Sequence, residues 1–141
     1  MQAAKLQTTP GRSKKSMFDY REIRSFELAD DLVTIASRLH KIYIRMDAHN
    51  VLQKLKHRTV DLSINVVEAT SLQDHPEKAL LFEMSFESLK DVRYELSKAR
   101  TLGLCSEPEF FHSYKIVNEL ERNLCSLIAS SQRKKLLAAQ G

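Results

Sequence analysis

Glycine and proline are scarce in this chain, with three of each in 141 residues. They fall at positions 10, 11, 76, 103, 108 and 141, so 12–75, 77–102 and 109–140 contain neither. These residues are the strongest breakers of regular backbone, and their absence leaves room for long uninterrupted elements. No Asn-Gly or Asp-Gly pair marks a hairpin and sustained alternation is missing, which argues against a β fold. Tryptophan is absent, and the two cysteines, Cys105 and Cys125, form no Cys-x-x-Cys pattern. They read as free thiols of a reducing compartment, with a disulfide as the alternative. No apolar run approaches the roughly 18 residues of a membrane span. The opening MQAAKLQTTPGRSKKS lacks the apolar core of a secretion signal. The expectation is a cytoplasmic protein with no membrane partner.

Catalytic signatures are also missing. There is no P-loop, no glycine-rich dinucleotide turn and no Gly-x-Ser-x-Gly elbow. A di-iron site in a helical bundle needs two Glu-x-x-His motifs facing inward. Only Glu109-Phe110-Phe111-His112 fits, at a helix end, with His112 on the far side of the wheel from Phe110. His40, His49, His57 and His75 show no ligand spacing. The sequence therefore predicts a non-enzymatic protein without metal or cofactor.

What is present is helical periodicity. A first helix is predicted over 20–46, with the stripe Ala29, Leu32, Ala36, Leu39, Tyr43 and Met46, widened by Leu28, Ile35 and Ile42. Asp47 or Asn50 caps the next start. A second helix spans 51–72 with Leu52, Leu55, Thr59, Leu62, Val66 and Ala69 on one face. Asp74 and Glu77 fit a capping box before a third helix, with Phe82, Ser85, Leu89, Val92, Leu96 and Ala99, which Gly103 ends. Ser106 caps a fourth, with the stripe Phe110, Tyr114, Val117, Leu120/Glu121, Leu124 and Leu127/Ile128, able to run on through Leu136 and Leu137. Four long helices with short connections predict an all-α, up-down-up-down antiparallel four-helix bundle. The expected division is a basic flexible tail over 1–18, a bundle over 19–131 and a basic tail over 132–141.

Charge is unevenly placed. Residues 1–18 hold Lys5, Arg12, Lys14 and Lys15, and residues 132–141 hold Arg133, Lys134 and Lys135, with no acid in either stretch. The ends thus carry +4 and +3 of a net charge of +4, leaving the body at −3. Antiparallel topology brings both ends to one pole, beside Arg21 and Arg24. The second helix adds Lys54, Lys56 and Arg58. Such patches suit a phosphate backbone, read without sequence specificity. A solubilising surface is the plainer reading of the same charges.

The stretch SINVVEAT asks for an explanation of its own. On a helical wheel Val60, Ile64 and Val67 form a second apolar face, roughly 140° from the first at 100° per residue. Asn65 and Glu68 lie on a polar strip beside it. A second apolar face calls for another partner, and an Asn near a helical interface can set register and oligomer state. Val60, Ile64, Asn65, Val67 and Glu68 are therefore candidate subunit-interface residues, with a solvated strip as the alternative for Asn65 and Glu68.

Asn65-Val66-Val67-Glu68-Ala69-Thr70 resembles the Asn-Ile-Ala-Glu-Gly signature of the small four-helix-bundle proteins encoded within intervening sequences of bacterial 23S ribosomal RNA. The resemblance continues through Ser88-Leu89, Glu95-Leu96, Ala99-Arg100-Thr101-Leu102-Gly103-Leu104, Ser106-Glu107 and Glu109-Phe110. It also takes in Tyr20-Arg21-Glu22-Ile23-Arg24, and covers about 20–131. Ala69 and Glu87 stand where that family has glycine. The accessory variability proteins of diversity-generating retroelements are a related branch. The resemblance implies a ring-like homo-oligomer, a pentamer, and in the retroelement branch binding of nucleic acid and of a reverse transcriptase. The expectation is an oligomeric bundle that binds structured RNA or RNA–DNA through repeated basic patches, as an accessory to a larger enzyme. A protein–protein scaffold with solubilising basic tails is the rival expectation.

Overall fold

Each helix begins or ends where a specific side chain or backbone conformation satisfies its terminal groups. The computed structural model describes residues 19–73 and 76–140 and contains four α-helices among them. They are α1 (Tyr20–Tyr43), α2 (Val51–Ser71), α3 (Lys78–Thr101) and α4 (Glu107–Gln140), with a 3₁₀ turn over Ile44–Met46. Asp19 caps α1 by accepting from the Arg21 N–H at 2.9 Å. Asp47, buried between α1 and α2, accepts from the N–H groups of Val51 at 2.7 Å and Leu52 at 2.9 Å. A longer bond of 3.4 Å comes from Gln53. One carboxylate thus serves donors that the first turn of a helix always leaves without an intrahelical partner. Asn50 contributes its backbone instead, turning the chain at φ 56. The expected Asp74 cap of α3 lies outside the described residues.

The turn between α3 and α4 is a Schellman closure. Leu104 N–H donates to Ala99 at 2.8 Å and Gly103 N–H to Arg100 at 3.1 Å. Gly103 holds φ +73, where a side chain would be strained. Ser106 and Glu109 then form a reciprocal capping box at 2.7 and 3.1 Å. Arg100 lies over the Phe110 ring at 4.5 Å and pairs with Glu107 at 2.8 Å, tying the end of α3 to the start of α4.

Around the bundle α1 packs on α2, α2 on α3, α3 on α4 and α4 back on α1, the closed square of an antiparallel bundle. The four predicted stripes supply its core: Leu32 and Leu39, Leu55 and Leu62, Phe82 and Leu89, Leu120 and Leu124 are all fully buried. Truncating such a leucine to alanine costs about 2–5 kcal/mol. Thr59, Ser85 and Ser113 sit among them because each hydroxyl bonds a carbonyl of its own helix, at 2.8–2.9 Å. Ser25 Oγ and Glu95 Oε1 are buried without a hydrogen-bond partner among the described residues.

Two parts of the predicted core differ. Met46 and Ile42 are exposed. After Tyr43 the backbone tightens to 3₁₀ winding, which rotates Met46 off the core phase. Tyr43 remains at the core edge and donates to Glu109 at 3.2 Å. On α4 the central position next to Phe110 belongs to Ser113 rather than Tyr114. Tyr114 flanks it, stacked on Phe110 at 5.3 Å beneath the Arg93 guanidinium.

Helix α4 has 34 residues against 24 in α1 and α3. At 1.5 Å per residue it outruns them by roughly 15 Å. Residues 132–140, expected as a tail, are its exposed last turns at the pole where α1 begins, with Gln132 still donating to Glu83 of α3 at 2.7 Å.

Asp47→Ala should lower stability by about 1–2 kcal/mol, read as a lower urea midpoint with unchanged slope. Replacing exposed Asn50 by glycine, which adopts positive φ freely, should leave the midpoint unchanged or raise it.

Candidate nucleic-acid interface

The predicted basic residues fall into three physically different groups. Arg12, Lys14 and Lys15 lie outside the described residues. Arg21 and Arg24 are on α1, half-buried against α4. Arg21 bonds Asp19 through Nε at 3.0 Å, and its other nitrogens reach Ser126 and, at 3.2 Å, Ser130. Arg24 makes a two-pronged pair with Glu119 at 2.8 and 3.0 Å and touches Glu27 at 3.3 Å. The planar guanidinium fork suits such a carboxylate. Both arginines clamp α1 to α4, and their charge is matched locally.

Lys54, Lys56 and Arg58 occupy the first two turns of α2, Lys54 and Arg58 exposed and Lys56 half-buried. Because α2 runs antiparallel to α1, they lie near the opposite pole, roughly 20–25 Å up the bundle at 1.5 Å per residue. They do not join the patch at the base.

Arg133, Lys134 and Lys135 sit side by side on the overhang of α4, all exposed. Arg133 donates to Ser130 at 3.3 Å, and Lys134 lies within electrostatic reach of Asp19, which Arg21 chiefly lowers, and of Glu22, which burial leaves raised. No acid occurs in residues 122–140, which hold Arg122 and these three bases. The described part of the basic pole is therefore the exposed end of α4, with Asp19, Glu22 and Glu83 of the neighbouring elements close by.

Beneath the overhang is an open cleft of about 630 Å³. Its walls are α4, from Leu127 to Ala139, and the starts of α1 and α3 at Asp19, Glu22, Pro76 and Lys78. Lys78 pairs with Glu22 at 3.1 Å and also donates to the Leu72 carbonyl. Burial raises the Glu22 carboxyl above its ordinary value, against the lowering effect of Lys78. The cleft was not visible in the sequence, since its walls come from three helices. The one available signal was the unbroken, acid-free run to Gln140.

On the outer side of α2, Val60, Ile64 and Val67 are 41%, 50% and 40% exposed. They form the second apolar face in the expected place, and Ile23 and Phe26 of α1 are exposed as well. Asn65 is partly buried and donates to Ser88 of α3 at 3.2 Å, so its side chain has a partner within the chain. Glu68 is exposed.

Among the described residues no three His, Cys, Asp or Glu side chains group closely enough to hold a metal ion, and His112 is exposed. Both cysteines are free. Burial, helped by Glu109 and Glu107, pushes the Cys105 thiol up to about 11, which suppresses its thiolate. No described helix is long and apolar enough to cross a membrane.

The chain matches no protein-family model, no curated protein and no solved structure. The likeness to the intervening-sequence proteins rests on the residues named for it above.

The ion pairs of the base set an acid limit on stability. Arg24 lowers the Glu119 carboxyl and Arg21 lowers that of Asp19. Carboxyls with depressed values stabilise the fold above their unfolded values and lose that contribution as pH falls through the folded ones. Glu22, shifted the other way by burial, acts in the opposite sense. The melting temperature should fall as pH is lowered from about 4.5, the ordinary glutamate value, toward 3. Thermal melts of Glu119→Gln should show a smaller fall over that range.

Proposed function

We propose that this chain is a non-enzymatic, oligomeric helical-bundle protein that binds the phosphate backbone of RNA or an RNA–DNA hybrid. The observation that carries the reading is the exposed end of α4, which sets Arg133, Lys134 and Lys135 on a stretch of helix without an acid of its own. Lys and Arg on such a helix end displace condensed counterions from a nucleic acid, and that release drives binding. Arg21 and Arg24 support this end from within by locking α1 to α4, rather than contacting phosphate. Arg12, Lys14 and Lys15 precede α1 in the sequence and lie outside the described residues. Lys54, Lys56 and Arg58 form a separate patch, engaged by a long or bent ligand, or by one that spans neighbouring subunits.

Oligomerisation suits this role because repeated weak patches on one assembly raise the effective concentration of each. The exposed Val60, Ile64 and Val67 face supports self-association, and the resemblance suggests a ring of five subunits acting beside a reverse transcriptase. The same apolar face is the specific support for a second reading, a scaffold that docks another protein.

Affinity for a single-stranded RNA should drop steeply between about 50 and 200 mM salt. Changing Arg133, Lys134 and Lys135 together to glutamine should flatten the plot of log K against log salt by roughly two units, at about 0.7 for each phosphate no longer neutralised. An unchanged slope would remove the overhang from the interface. Changing Val60, Ile64 and Val67 to Ser or Gln should reduce the mass read by light scattering while leaving helix content unchanged. A scaffold without nucleic-acid affinity would show no RNA binding at either salt concentration.

A further inference from the structure

The pole opposite the overhang combines cations with exposed aliphatic side chains. Residues 38–58 run over the end of α1, the connection and the start of α2, and carry Arg38, Lys41, Arg45, Lys54, Lys56 and Arg58 against a single acid, Asp47. That acid is buried in the cap of α2, whereas all the cations but half-buried Lys56 are exposed. They stand on different sides of the pole. Arg38 lies within electrostatic reach of Glu109 on α4. Asn65 marks the α3 side of α2 by its bond to Ser88. Arg58 and Lys54, roughly two and three turns before it, share that side, and Lys56, about two and a half turns before it, faces the other way, toward α1. Between these cations the chain turns through Ile44–Met46, and Ile42, Ile44 and Met46 are 58%, 53% and 60% exposed. The acids of the neighbouring turn are engaged, Glu107 with Arg100 and Glu109 with Ser106 and Tyr43. Large aliphatic side chains left in water beside charged ones mark an interaction surface.

We infer that this pole docks on an anionic phospholipid surface, with Ile44 and Met46 entering the boundary between headgroups and acyl chains and the surrounding Lys and Arg side chains meeting the headgroups. The inference is independent of the nucleic-acid reading, and it gives Lys54, Lys56 and Arg58 to the bilayer in place of a second stretch of strand. Shape decides between the two polyanions. A strand passes along one side of a pole, whereas a plane meets cations on several sides at once. Isoleucine and methionine present no flat face on which a base stacks, but they gain free energy on leaving water for hydrocarbon. Burial of apolar area and attraction to anionic lipid add in such contacts. Surface docking needs no membrane-crossing helix, and none occurs among the described residues. The expectation of no membrane partner came from the lack of a long apolar run, which bears on spanning and not on surface contact.

The chain has no tryptophan, so Met46→Trp places a single fluorescent reporter at an exposed position of this pole, away from the core. The full chain carrying it is mixed with vesicles of three parts phosphatidylcholine to one part phosphatidylserine, and with vesicles of phosphatidylcholine alone. On the anionic vesicles the emission should shift to the blue and be quenched by lipids brominated on the acyl chain. On the neutral vesicles it should not change. Adding Lys41→Gln, Arg45→Gln and Lys54→Gln together should weaken binding roughly a hundredfold, at about 1 kcal/mol for each cation near the surface. Adding Ile44→Ser should weaken it roughly tenfold through lost apolar burial. Changing Arg133, Lys134 and Lys135 to glutamine should leave it unchanged, because they lie at the other pole. No blue shift on anionic vesicles, or an equal shift on neutral ones, would overturn the inference. So would vesicle binding that the overhang variant loses, and so would an emission change produced by a uridine decamer but not by vesicles, which would assign this pole to nucleic acid.

Discussion

The fold depends on where its helices stop, and the most constrained of those points is the carboxylate of Asp47. It is buried where α1 gives way to α2 and takes the N–H groups that open α2. An alternative start would leave those donors unmet in a place water does not reach, and buried donors without partners are costly. With the start of α2 pinned, Leu52, Leu55 and Leu62 meet the stripe of α1. The same phase turns Asn65 toward Ser88 and leaves Val60, Ile64 and Val67 outward. The exposed apolar face follows from the cap as much as from the residues that form it.

Charge in this protein divides into two uses. Arg21, Arg24, Arg93 and Arg100 sit over carboxylates or rings and tie one helix to the next. Their guanidinium geometry matters more than their sign, and a count of basic residues overstates what is available to an anionic partner. Lys54, Arg58 and the three bases of the overhang reach solvent. Two of those groups lie at opposite poles, so the net charge of the chain says little about the field that any one ligand would meet.

Much of this was legible in the sequence because the stripes are long and scarcely interrupted. The periods of Leu52 to Ala69 and Phe82 to Ala99 place every named residue in the core. Gly103 and Ser106 announce the turn between α3 and α4 through backbone chemistry that few other residues supply. Periodicity could not foresee Met46, because a switch to 3₁₀ winding changes the period itself. Ser113 displaced Tyr114 from the centre because a serine that bonds its own helix can be buried at little cost, which apolarity does not register. The basic pole was legible as charge, but its local pairing was not. Which arginines face acids, and that Glu22, Lys78 and Leu127 share one cleft, are facts of distance between helices.

The unequal lengths of the helices have a further consequence. Starting a helix is improbable, whereas extending one that exists is nearly neutral per residue. The last turns of α4 inherit a start made by residues packed in the bundle, so the projection needs no core of its own. The cleft wall, which lies along those turns, is therefore graded: Leu127 belongs to the cooperative unit, while Leu137 and Ala138 answer to the local helix–coil balance.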